Sequence, residues 1–494
     1  MTLIVVALYL IIVTWLSLYG FNLLAISILS LVHRKDKPTL EPLTSGRAER
    51  PDVTVQLPTF NERYVVERLI DAMAALDWPR DKLHIQVLDD STDETTGLAR
   101  ARAEFHRAHG LDIIVLHRMD RFDYKAGALQ AGLAFSNSPF VAIFDADFIP
   151  APDFLEQMMP AFGDPKVGWV QARWTHINED YSPVTRAAGL PMDAHFAVEQ
   201  VARDRSGLPM IFNGSAGVWR HEAIDAAGGW QGDTLTEDAD LSLRAQMAGY
   251  KGQMMPDVIV SSELPMQIAA LKQQYFRWAK GGAQTLRKLF IPLVRSRMPF
   301  WKKVMGLFFL TSYLIPPLVI LLLVTWLPIV LHPEWLAGIP TVILGIATMG
   351  VPVEFLLAQI ILHRGDVRRI VYLPLFMIIG TGMALNSARA VVQGLAGRNS
   401  EFMRTPKFRI AQRGADETWK RSAYVMSADP TAFGEALMAG YATFMIVEAW
   451  RVGNTGAIPF LLLYAAGFAC VAIGSAVNIR PRGRRSALRL KADA

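Results

Sequence analysis

The sequence predicts an α/β domain, a sheet flanked by helices, set between membrane-spanning helices. Three observations carry this. Between residues 51 and 150 short apolar runs alternate with stretches of helical spacing, as in a parallel sheet covered on both faces. All but one of those runs end directly in a polar cluster, and ligands of such sheets bind beyond the carboxyl ends of the strands. Apolar residues gather at 1–32 and again beyond 300, while residues 50–290 have an ordinary soluble composition.

The first element, residues 3–32, is one apolar run ending in His33-Arg34-Lys35-Asp36-Lys37. It has neither the leading positive charge nor the small-residue cleavage site of a signal peptide. It reads as a transmembrane helix with its basic end in the cytoplasm, the first unit being residues 1–37. A Pro- and Gly-containing linker follows, and the aqueous domain occupies 50–265. Its expected strands are Val53–Leu57, stopped by Pro58, then Leu83–Leu88, Ile113–Leu116 and Val141–Phe144. Helices are expected over 63–75, 94–109 and 125–134.

Residues 266–299 alternate Lys272, Arg277, Lys280, Arg287, Lys288, Arg295 and Arg297 with Ile268, Leu271, Phe276, Leu286, Leu289 and Phe290, the pattern of amphipathic helices in the headgroup layer. Two spans are expected within 300–362 and two within 431–479. The apolar run 370–397 is different. Both flanks are basic, Gly380 and Gly382 interrupt it, and Asn386, Ser387, Arg389 and Gln393 make its second half polar. Basic residues favour the cytoplasmic side, so 363–430 is expected to be an interfacial or re-entrant segment with a loop. This gives five spans, an outer N-terminus and a basic cytoplasmic tail over 480–494. The expected location is a bacterial inner (plasma) membrane.

Composition narrows the function. Charged residues are 19% of the chain, below the ~25% of soluble domains. The net charge of +5 is small, and its basic residues flank apolar segments, which suits anionic membrane lipid and not nucleic acid. The single cysteine, Cys470, excludes a disulfide framework or zinc cluster. Intramembrane charges are few (Glu354, Arg389 and Glu448), which argues against a transporter or receptor.

The polar clusters carry the chemistry. Asp145 and Asp147, two apart on an extended backbone after the fourth strand, share a face. Hard carboxylate oxygens suit Mg²⁺ or Mn²⁺ completed by a diphosphate; a solvated Asp-rich turn is the plainer reading. Thr59 and Glu62 follow the first strand and Asp89 and Asp90 the second, placed for a nucleotide or serving as turn residues. Lys125, near a helix N-terminus, either neutralises a diphosphate or lies on the surface. Asn213-Gly214-Ser215 is a small-residue loop that lets backbone approach a ligand, here assigned to the acceptor side. Thr236-Glu237-Asp238 opens a helix as capping residues or as a general base, Asp238, supported by Glu237. Gln274, Arg277 and Trp278 line an acceptor sugar and a leaving diphosphate, or sit at the membrane interface. Phe402, Thr405 and Lys407 belong to a basic loop that closes over a nucleotide or holds anionic lipid.

Taken in order, Asp89-Asp90, Asp145-Ala146-Asp147, Thr236-Glu237-Asp238 and Gln274-x-x-Arg277-Trp278 resemble the membrane-embedded glycosyltransferases of family 2, the cellulose, hyaluronan and mannan synthases. Residues 168–178, Gly168-Trp169-Val170-Gln171-Ala172-Arg173-Trp174-Thr175-His176-Ile177-Asn178, are similar to the mannan-synthase-like branch. Phe402-x-x-Thr405-x-Lys407 resembles the family's gating loop, with Arg404 where cellulose synthases carry valine and an added Pro406. The resemblance implies a GT-A fold, a Rossmann-like mixed sheet. It also implies a nucleotide-sugar donor such as UDP-glucose or GDP-mannose, a divalent metal, and inversion at the anomeric carbon. By position it implies that Thr59, Glu62, Asp90 and Lys125 bind the donor, Asp145 and Asp147 the metal, and Gln274, Arg277 and Trp278 the acceptor end, with Asp238 the base. The acceptor is a glycan extended as a β-linked polysaccharide through a channel or, alternatively, a membrane lipid glycosylated once.

Overall fold

The computed structural model describes residues 2–37, 40, 50–337, 341–364, 367–398, 404–409, 429 and 431–477. Phe402 and the basic tail lie outside the described residues. The aqueous domain is built on a seven-stranded mixed sheet. Its strands are β1 (Val53–Thr59), β2 (Leu83–Asp89), β3 (Asp112–His117), β4 (Phe140–Ile143), β5 (Val167–His176), β6 (Gly217–Arg220) and β7 (Lys251–Ser262). They lie in the order β3-β2-β1-β4-β6-β5-β7. The half from β3 to β4 is parallel, β6 runs antiparallel to both its neighbours, and β5 pairs with β7 in parallel.

Side-chain alternation decides which residues fill which layer. On β4, Ala142 joins the core cluster with Val55 and Leu57, while Val141 and Ile143 join the one with Trp169 and Trp219. A strand covered on both faces must be apolar throughout, which is why Phe140 to Ile143 reads as an unbroken run. Pro58 does not end β1. Its missing N–H points toward β4, which has already stopped at Ile143, while Thr59 still accepts from the Asp90 N–H on the β2 side at 2.9 Å. The first helix of the aqueous domain starts later than its spacing suggests, at Val66, because Asn61 turns the chain through a left-handed conformation at φ 53°.

Residues 266–299 form one long helix, Ile268–Arg295. The headgroup-facing reading of its lysines is corrected for two of them: Lys272 and Lys280 are fully buried. The Lys272 ammonium sits 2.7 Å from Glu435, itself buried, and 3.3 Å from Asp429. It also donates to Thr431 at 2.8 Å and Ser475 at 3.1 Å. Polar groups at helical spacing thus serve a helix-to-helix joint, a use that one-dimensional patterning does not separate from solvation.

Four described helices are long and apolar enough to cross a membrane: Thr2–Val32, the stretch Phe300–Leu331, Gly345–Leu362 and the stretch Thr455–Ala476. The first of the two spans expected within 431–479 forms a helix, Ala432–Arg451, that packs on the last one but is not among those four. The interrupted segment is two helices, Arg368–Gly382 and Ala384–Leu395, bent by 47°. A bend of this size at a glycine-rich break suits a broken span or a re-entrant hairpin.

Because removing one partner leaves the other buried and uncompensated, Lys272→Met is expected to cost about 3–5 kcal/mol. The double variant Lys272→Met/Glu435→Leu should recover much of that. Thermal unfolding in detergent measures both, and a double variant less stable than the single one would contradict the joint.

Candidate active site

The carboxyl ends of β1, β2 and β4 open into one cleft. Its walls include Thr59, Glu62, Asp90, Lys125, Asp145, Asp147, Asn213, Gly214, Glu237, Asp238, Gln274, Arg277, Trp278, Thr405 and Lys407. Clusters drawn from Thr59 to Lys407 therefore converge, as the strand-end rule requires.

Lys125 is the centre of charge. Its ammonium lies 2.5 Å from Asp145, donates to the Gly214 carbonyl at 2.9 Å and sits 3.8 Å from Glu237. Burial pulls the amine down, but Asp145 and Glu237 outweigh that and hold it above its ordinary range. Asp145 is fixed from behind: its N–H donates to the Ser215 hydroxyl at 2.9 Å. Asp147 is buried, and one of its oxygens accepts from Lys407 at 2.6 Å and from the Glu263 N–H at 2.9 Å.

Glu237 and Asp238 begin the helix Glu237–Met247. Thr236 does not cap that helix with its side chain; its hydroxyl meets Thr285 at 3.1 Å on the long helix. The Leu235 N–H donates to Gln284 at 3.0 Å, and Lys288 sits 3.0 Å from Asp240. Gly281 permits this approach, since a Cβ there would lie 2.8 Å from the Thr236 nitrogen. The helix bearing Asp238 is thus tied to the helix bearing Arg277 and Trp278. Burial raises the Asp238 carboxyl against the pull of Lys125; burial and the charge of Asp238 raise Glu237 to about 7. The Arg277 guanidinium is lowered by burial, against Glu237, Asp145, Asp238 and Asp147.

Residues 404–409 lie across the other end. Arg404 pairs with Glu62 at 3.1 Å, and the Phe408 and Arg409 N–H groups donate to Glu263 at 3.2 and 3.1 Å. Burial pushes Glu62 up to about 8, against Arg404. Asp90 takes a two-pronged Arg118 contact at 2.7 and 2.6 Å.

Two expected contacts lie outside the lining. Asp89 is fully buried, accepting from Thr96 at 2.6 Å and the Ser91 N–H at 3.1 Å, with His117 at 2.8 Å. It orders the turn beneath Asp90. Ser215 is likewise buried and supports Asp145. Sequence reasoning missed Arg121, stacked over Phe60 at 3.4 Å, and the cleft-lining Trp174 and His176. The last two fell inside a motif read only for resemblance.

The donor set suits a divalent cation. Asp145 and Asp147 offer hard oxygens, each balanced by an ammonium. Among the described residues no cluster of three or more His, Cys, Asp or Glu forms a closed metal cage. Two carboxylates completed by phosphate oxygens is the arrangement expected of Mg²⁺ or Mn²⁺ sites.

The family model described as "Glycosyltransferase like family 2" matches residues 51–281. Glucomannan 4-beta-mannosyltransferase 2 of Arabidopsis thaliana is 35% identical over 433 residues, covering 84% of this chain and 78% of its own. Glucomannan 4-beta-mannosyltransferase 1 of Oryza sativa subsp. japonica is 34% identical over 460 residues, covering 88% and 85%. Among solved structures, a mannosyltransferase from Pyrobaculum calidifontis in complex with GDP-Man and Mn²⁺ superposes with a TM-score of 0.52 at 24% identity, over 81% of this chain and 99% of that one. That likeness bears on the fold alone. The two sequence relatives are plant proteins and lend nothing to the expectation of a bacterial membrane; the apolar helices support membrane association.

Gly214 adopts φ +84°, and a Cβ there would lie 2.8 Å from an Asp238 carboxylate oxygen. Gly214→Ala is therefore expected to cost about 1–3 kcal/mol of stability. Gly440→Ala, where a Cβ meets nothing within 4 Å, is the near-neutral control. Equal melting temperatures for the two variants would contradict the close approach.

Proposed function

The chain belongs to glycosyltransferase family 2, in its mannan-synthase-like branch, and on that premise we propose that it transfers mannose from GDP-mannose to the end of a β-linked mannan chain, with inversion, passing the product between its own membrane helices. The observation that carries the reading is the convergence of Asp238, the Asp145/Asp147 pair and Arg277/Trp278 on one cleft. The choice of mannose follows the relatives, whose names are glucomannan 4-beta-mannosyltransferases.

The acceptor hydroxyl is a weak nucleophile and must lose its proton as it attacks. Asp238, raised by burial yet beside Lys125, takes that proton as the oxygen bonds C1 of the donor and the C1–O bond to the diphosphate breaks. Glu237 and Lys125 set the local charge. Arg277 and Lys125 face the negative charge that develops on the leaving diphosphate. Asp145 and Asp147 would hold Mg²⁺ or Mn²⁺, which supplies further positive charge at the diphosphate. Trp278 and Gln274 orient the acceptor terminus. Arg404, Thr405 and Lys407 cover the donor, excluding water that would otherwise compete with the acceptor.

The test is purified full-length protein in detergent with Mn²⁺ and a panel of nucleotide-sugars, following release of nucleoside diphosphate and digesting the product. GDP-mannose should give a polymer degraded by β-mannanase. Release without polymer would favour single transfer to a lipid, and no release from any donor would overturn the reading. Asp238→Asn should reduce turnover by about 10²–10⁴ while GDP binding persists. Asp147→Ala should weaken metal-dependent binding instead. Because Asp238 must be ionised and burial raises it, activity should fall with acid below a limb lying above the ordinary carboxylate range. A limb at that ordinary range in the kcat/KM profile would take the role from Asp238.

A further inference from the structure

Asn213 lines the cleft, yet its side chain is held from behind by residues that no motif above contains. Residues His195–Glu199 form a single π turn, in which the Gln200 N–H bonds the His195 carbonyl. Such turns are rare and frequently mark functional sites. The five-residue step puts His195 and Gln200 on one side, and both reach Asn213.

The orientation of each group follows from its donors. Gln200 Nε2 meets the Ile211 carbonyl at 2.6 Å, which only accepts, so the amide nitrogen must face it. The same nitrogen donates to Asn213 Oδ1 at 2.8 Å. Asn213 Nδ2 then faces His195 Nε2 at 2.8 Å and can only donate to it. His195 therefore carries its proton on Nδ1, given to Glu199 at 2.8 Å. The other Glu199 oxygen takes Arg203 at 2.8 and 2.9 Å. Burial works to raise Glu199, but Arg203 and His195 outweigh it, and the carboxylate stays well below its usual range.

What this train holds is the 213–215 loop. The Gly214 carbonyl accepts from Lys125, Ser215 accepts from the Asp145 N–H, and Gly214 packs against the Asp238 carboxylate. On its far side the π turn packs against the helices Thr2–Val32 and Gly350–Leu362.

We propose that His195, Glu199 and Gln200 are positioning residues of the transfer reaction, locking the Asn213 amide and through it the loop that sets Lys125, Asp145 and Asp238. This rests on the transferase reading above. A displacement of the loop by an ångström is enough to cost about 10–100-fold in turnover.

The test is a mutant cycle on the full-length protein, read by GDP-mannose turnover and, separately, by calorimetric binding of GDP with Mn²⁺. His195→Leu should lower kcat by about 10–100-fold and GDP–Mn²⁺ affinity by about threefold. His195→Gln, which can again present an acceptor to Asn213, should recover most of both. His195→Leu/Asn213→Ala should be no worse than the poorer single variant, because the two residues act as a unit. Losses that multiply, a Gln variant no better than Leu, or a Leu variant within about twofold of the parent would overturn the proposal. If His195→Leu does not fold, Gln200→Met carries the same expectations against Asn213→Ala. A parent protein that binds GDP without turning over GDP-mannose would defeat the transferase reading, while the binding cycle would still decide the role of His195.

Discussion

The cleft depends on one partly buried ammonium. Asp145, Glu237 and Asp238 face each other in a site where like charges repel strongly, and without a cation among them burial would neutralise them or push them apart. Lys125 is that cation, close to Asp145, Glu237 and the Gly214 carbonyl at once. Its placement is costly. Asp123 and Tyr124, immediately before it, both take left-handed conformations, at φ 57° and 47°. Two such non-glycine residues cost about 1–3 kcal/mol each and persist only where their surroundings over-determine them. Gly232 supplies part of that: a Cβ there would fall 2.3 Å from the Asp123 side chain. The strain is thus the consequence of aiming a lysine into the acidic wall from the first turn of a helix.

The opposite end repeats the scheme with three separate ion pairs in place of one shared cation. Asp147, Glu62 and Glu263 are matched by Lys407, Arg404 and Arg68. Two of those cations belong to residues 404–409, so the strap across the cleft is held by the carboxylates it covers. On the proposed reading Asp147 serves both Lys407 and a metal–diphosphate. Loading the donor therefore changes what the strap is bound to, and strap position and donor occupancy are linked without any further device.

Much of this was legible in the sequence, for a definite reason. Residues at strand ends are placed by topology alone, so once 51–150 reads as alternating strands and helices, Thr59, Asp90 and Asp145 must share an edge. Legibility failed where placement depends on packing across the chain. Asp89 and Asp90 are neighbours in one acidic pair, yet only the second faces the cleft, because side chains at a strand end alternate. Lys272 and Lys280 carry the spacing of a solvated stripe, but the face they occupy is covered by helices more than a hundred residues away. His195, Glu199 and Gln200 were invisible for a different cause: a search tuned to 3.6 residues places His195 and Gln200 on different faces, and only the π turn aligns them.

The long helix makes the cleft and the membrane one mechanical object. Gln274, Arg277, Trp278, Gly281, Gln284, Thr285 and Lys288 fall at three- and four-residue steps, so they form a single stripe. Its first half lines the cleft and its second half grips the helix that carries Asp238. Lys272 lies on the reverse side, joined to Glu435 and Ser475 of the last two helices. Asp238, Trp278 and the last two helices are therefore referred to the same rod. A shift of that rod against the sheet would move Arg277 and Trp278 relative to Asp145 while leaving them in register with Asp238. On the proposed reading, such a shift would change the geometry between acceptor and donor and preserve the one between acceptor and base. With the product advancing after each transfer, as that reading has it, the division keeps Asp238 aligned with whichever hydroxyl is presented.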